Sequence, residues 1–155
     1  MEENVINTII DFLNIINIKV IEQELDDDTF LPGLSIIADT ILMDKKRMKY
    51  PGDLLHEAGH IAVTEKKIRP LIGSNKMISN WPNYGDEIAT ILWSYAAVCH
   101  LKIDPKIVFH PGGYKNESDW LIEQFKNKNY IGLPLLEWMG FCKQEEFPLM
   151  KKWLR

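Results

Sequence analysis

Residues 53–63 read DLLHEAGHIAV, and how this stretch is read decides the fold. Pro51 and Gly52 punctuate its start, Asp53 suits a helix N-terminus, and Leu54, Leu55, Ile61, Ala62 and Val63 give it an apolar frame, so a helix is predicted over residues 53–65. Inside that frame His56, Glu57 and His60 spell H-E-x-x-H. Helix residues four apart lie about 40° apart around the axis, so His56 and His60 can present both imidazoles to one ion. Glu57 is offset from His56 by about 100°, which suits a base holding a metal-bound water better than a ligand. With four histidines in the chain, H-E-x-x-H should arise in about half a percent of shuffles. Coincidence, with Gly59 only a packing residue, is therefore the weaker reading.

Two histidines leave a tetrahedral catalytic zinc one protein ligand short, with water expected in the fourth position. Glu65 lies about 180° around the helix from His56 and faces away. The extended metzincin pattern needs Gly and His where the chain has Val63 and Lys66, which excludes that class. Glu87 fits best, because it opens the next predicted helix after a loop long enough to bring that helix alongside, and its following neighbours are apolar. Asp86 is the adjacent alternative and could instead be a cap or an outer partner. His100 lies about 20 Å further along the same helix and cannot share the ion. His110, in IVFHPGGY, could join Tyr114 at the cleft to stabilise an oxyanion or serve with it as an outer partner of the site, although a histidine beside Pro-Gly-Gly is more often only structural. Ser94 and Tyr95 read as buried helix residues.

Outward from this segment, Ile6, Ile9, Ile10, Leu13 and Ile16 recur at spacings of three and four, predicting an amphipathic helix over residues 3–16. Residues 18–20 suggest a short strand. LSIIADTILMD, residues 34–44, reads as a hairpin. The breaker-rich stretch 66–85 is long enough to form a cleft wall. Residues 86–101 form a helix apolar all round, hence buried. A further helix is predicted over 117–126, and a helical tail from 133 packed through Trp138, Phe141 and Trp153.

Composition narrows the function classes. A hydrophobic share of 46% and a charged share of 26% belong to a chain with a real core rather than a disordered one. The formal charge of -4 and the scattered basic runs argue against direct nucleic-acid binding. No uninterrupted apolar stretch is long enough to span a membrane, and the polar, acidic start is not a signal peptide. Cys99 and Cys142 read as reduced thiols, and a cytoplasmic location is expected.

The segments FLPGLSIIADTILMD (30–44), DLLHEAGHIAV (53–63) and GDEIATILWSYAA (85–97) together resemble the ImmA/IrrE family of small zincin-like metallopeptidases over roughly residues 30–100. The resemblance implies zinc ligands His56, His60 and Glu87, with Glu57 as catalytic base. It also implies a protein substrate such as a transcriptional repressor. The expectation is therefore an α+β, zincin-like (gluzincin-type) single domain over 1–155, with a small antiparallel sheet packed on several helices including the metal-binding helix. In the expected chemistry zinc acidifies water, and Glu57 takes its proton and returns it to the leaving amine. The rival is a catalytically silent zincin-like domain that binds a partner protein. An intact Glu57 favours the enzyme.

Overall fold

The computed structural model describes residues 2–155. Helix α1 (Glu2–Ile15) buries Ile6, Ile9, Phe12 and Leu13, the stripe its spacing predicts. Strands β1 (Lys19–Glu22), β2 (Leu34–Ile37) and β3 (Thr40–Met43) follow, then α2 (Asp53–Val63), α3 (Tyr84–Leu101), α4 (Ser118–Lys126) and α5 (Leu133–Trp138).

The architecture is α+β, but the sheet is mixed rather than antiparallel. Its order is β1-β3-β2. β2 and β3 form the expected hairpin, with Ile37 opposite Thr40, closed by a two-residue turn in which Ala38 has φ 55°. β1 then pairs with β3 in parallel, Val20 opposite Ile41. The connection from residue 23 to 33 carries β2 past the site that β3 fills, so β3 returns in the direction of β1. Buried Ile41 and Met43 on β3 face the same core as Leu54, Leu55, Ala58 and Ile61 of α2.

Two glycines set how closely α2 is packed. Asp53 is the first helical residue rather than the cap. Gly52 holds the cap position, where a Cβ would lie 2.0 Å from the Ile107 carbonyl oxygen, so only glycine admits this approach. At Gly59 a Cβ would meet Thr90 and Trp93 of α3. α3 is buried through Ala89, Leu92, Trp93, Ala96 and Ala97, as its all-round apolar sequence requires.

Residues 66–83 are tethered rather than loose. Ala38 N donates to Ile72 O, Arg69 Nε donates to Thr64 O, and Trp81 Nε1 donates to Thr64 Oγ1. The tail departs from expectation, being α-helical only over Leu133–Trp138. Leu133 and Leu136 supply the buried face of α5, which turns Trp138 outward, 72% exposed, under the Arg155 guanidinium. Phe141 is fully buried, and Trp153 packs edge-on against Phe12 and Trp93. Among the described residues no helix is long and apolar enough to cross a membrane.

Candidate metal centre

One turn apart on α2, His56 and His60 bring their Nε2 atoms to 3.1 Å, with ring planes at 88°. Glu87, in the first turn of α3, places Oε1 3.3 Å from His60 Nε2 and Oε2 3.6 Å from His56 Nε2. Around a tetrahedral ion with bonds of about 2.0–2.1 Å, ligand atoms stand about 3.3 Å from one another. The three measured separations bracket that value, and two imidazoles with one carboxylate are a donor set zinc accepts, so the residues fit the ion. Glu57 borders the same point: donor atoms of His56, Glu57 and His60 all lie within 4.8 Å of one another.

Both imidazoles are held from behind. Tyr114 Oη lies 3.1 Å from His56 Nδ1 and Thr90 Oγ1 3.3 Å from His60 Nδ1. When each Nδ1–H donates to its oxygen, each Nε2 is left bare toward the centre. Trp81 sets its ring edge-on to His60 at 5.9 Å. Its anchor, Thr64, donates in turn to His60 O.

The electrostatics suit a cation. Burial, reinforced by neighbouring His56, pushes His60 down to about 4, so its imidazole is neutral. Burial pushes Glu57 up to about 7, with Asp53 and Glu87 adding to the rise and His56 opposing it. At Glu87 burial acts upward, but hydrogen bonding with His56 and the closeness of both imidazoles outweigh it and hold the carboxyl below its ordinary range. Burial and the nearby carboxylates Asp53, Glu87 and Glu57 raise Tyr114 far above its usual value, so it keeps its proton. A bound cation would pull Glu87 down further and oppose the rise at Glu57.

Of the other residues singled out from the sequence, Tyr114 touches the centre and the rest are engaged with other partners. Asp86 accepts from Asn83 N, and Asn83 Oδ1 accepts from Asp86 N, a reciprocal cap on α3. His110 is buried away from the cleft with Nε2 2.7 Å from Asp53 Oδ1, and it stacks on Tyr50. Tyr114 Oη meets His56 Nδ1, the place of an outer partner to that ring. Ser94 donates to Thr90 O within α3. His100 packs on Phe12 and Trp153 at the far end of that helix.

A cleft of about 170 Å³ opens beside the centre. Glu57, His60 and Glu87 form its floor, and Phe30, Ile36, Trp81 and Pro82 its apolar walls. A wider depression of about 520 Å³, between Glu22 and Arg47, is lined by charged side chains and lies off these residues. No protein-family model, curated protein or solved structure matches the chain, so the functional reading rests on this geometry.

Two neighbours of the centre escaped the sequence. Thr90 had a usable signal: three residues after Glu87, it is a polar residue on the same face of an otherwise apolar helix. Trp81 had none, because its partners Thr64 and His60 are distant in sequence.

Proposed function

We propose that the chain is a zincin-like, zinc-dependent metallopeptidase acting on a protein substrate. The observation that carries this reading is the triangle of His56, His60 and Glu87 with Glu57 at its side. Zinc bound there would supply a Lewis acid and acidify a coordinated water. His56, His60 and Glu87 would hold the ion, with Tyr114 and Thr90 fixing the two rings. The Glu57 carboxylate takes the proton of the attacking water and delivers it to the leaving amine nitrogen. The apolar side chains of Phe30, Ile36, Trp81 and Pro82 would seat an apolar side chain next to the bond being cut. By the resemblance in residues 30–100, a transcriptional repressor is the substrate to try first.

The test is Glu57→Gln, assayed for zinc content and for hydrolysis of a broad peptide library. The expected result is retained zinc with turnover lost. Equal turnover by both proteins would remove Glu57 from its role. Zinc retained by a wild type that cuts nothing in the library would favour the silent partner-binding domain.

A further inference from the structure

Asp53 and His110 have no part in the reaction proposed above, yet their side chains are only 7% and 9% exposed and are joined at 2.7 Å. His110 Nδ1 is buried with no hydrogen-bond partner. A pair retained only for stability has an easier solution, because apolar residues of similar size fill such a site without an orphaned polar atom. What the pair supplies is direction. Asp53 stands three residues before His56 on α2, and His110 stands four residues before Tyr114. The same two segments are therefore joined twice, at Asp53–His110 and at His56–Tyr114, where Oη lies 3.1 Å from Nδ1.

The segment that carries these two links, residues 110–116, takes an uncommon backbone path at its end. Tyr114, Lys115 and Asn116 all lie in the left-handed region, with φ 57°, 53° and 66°, a conformation that side-chain-bearing L-residues adopt unwillingly. Its neighbours fit it closely. Ser118 Oγ donates to His110 O at 2.5 Å, Tyr50 stacks on the His110 ring at 3.7 Å, and a Cβ on Gly112 would strike Tyr50.

We infer that Asp53 and His110 are positioning residues for the metal centre: by pinning the 110–116 turn to the first turn of α2, they hold the Tyr114 hydroxyl on His56 Nδ1 and so set metal affinity without touching a ligand atom. The inference rests on the metal reading of His56. Loss of an outer partner of a ligating histidine typically costs about 10–100-fold in affinity. Because both links act through one bond, their losses do not multiply.

The experiment is a chelator-competition zinc titration of the full chain as wild type, His110→Phe, Tyr114→Phe and the double variant. His110→Phe keeps a ring against Tyr50. Each single variant is expected to bind zinc about tenfold more weakly, and the double variant no more weakly than Tyr114→Phe alone. Asp53→Ala, which removes the oxygen that meets His110 Nε2, is expected to weaken zinc binding as His110→Phe does, and it keeps the question answerable if His110→Phe folds poorly: wild-type affinity in Asp53→Ala would overturn the inference. So would wild-type affinity in His110→Phe, or a double variant weakened by the product of the two losses. The imidazole nitrogen spectrum of the zinc-free protein gives a readout that needs no metal, with His110→Phe expected to shift His56 Nδ1 as Tyr114→Phe does. An unmoved His56 signal would overturn the positioning role whether or not zinc binds. Failure of the wild type to take up zinc, with that signal shifted, would overturn the metal reading instead.

Discussion

Gly59 and Thr90 meet where α2 and α3 touch: a Cβ placed on Gly59 would lie 2.8 Å from Thr90 Cγ2. The variable residue before the second histidine of the motif thus sets how near α3 can come, and with it how near Glu87 stands to His60. In an ordinary helix interior Gly→Ala stabilises by about 1 kcal/mol, whereas overpacking a tight core costs about 1–3 kcal/mol. Thr90 is fully buried, and its hydroxyl is engaged with His60, so it cannot rotate away and the overpacking term wins. Gly59→Ala is expected to lower unfolding stability and weaken zinc binding together. A more stable variant with unchanged zinc affinity would show that the helices do not meet here.

Thr90→Val keeps the shape of the side chain and removes the oxygen behind His60 Nδ1. Zinc affinity is expected to fall about 10–100-fold with little change in metal-free stability. Thr90→Ser, which keeps the hydroxyl, is expected to restore most of it. Chelator competition reads both.

The apolar walls beside the centre predict a preference that can be measured by binding alone. Burying each methylene contributes about 0.8 kcal/mol. A hydroxamate bearing a leucine-sized side chain should therefore bind the zinc-loaded protein at least about tenfold more tightly than acetohydroxamate. Ile36→Asp should erase the difference, and equal affinities in the wild type would dissociate the cleft from the substrate side chain.

Acid stability turns on Asp44. Its carboxylate accepts from Leu25 N at 2.9 Å and Lys46 N at 3.1 Å, tying the β1–β2 connection to the end of β3. The bond from Leu25 holds the carboxyl below its ordinary value of 3.8 against the opposing effect of burial, with Lys46 N and the charge of Arg47 adding. A folded value below the unfolded one means the stabilisation is complete above pH 3.8 and fades as pH falls through the folded value. Urea midpoints of wild type and Asp44→Asn should differ by a constant amount from neutral pH to about 5 and converge below 3.8. A gap that persists unchanged in acid would remove the charge from the explanation.

Much of this was legible in the chain because the information was local. The His56–His60 spacing lies within one helix turn, and the stripe from Ile6 to Leu13 shows its period directly. Glu87 could be singled out because a carboxylate opening an apolar helix is conspicuous. Sheet handedness was not legible, because the parallel placement of β1 depends on the path of residues 23–33 rather than on any strand's own pattern. Trp138 was misread for a related reason: an aromatic residue in a helix suggests a core contact, but the face chosen by Leu133 and Leu136 turns it outward. His110 and Tyr114 were expected together at the cleft. They remain neighbours, with ring centroids 6.4 Å apart, but Asp53, which suited a helix start, meets His110, and Tyr114 meets His56.

Whether His56, His60 and Glu87 together form a three-residue metal site is read by elemental analysis after zinc reconstitution of the wild type, His60→Ala and Glu87→Ala. About one zinc per chain is expected in the wild type, with zinc lost or markedly weakened in both variants. A wild type that retains no zinc, or a Glu87→Ala protein that holds it undiminished, would rule the three-residue site out.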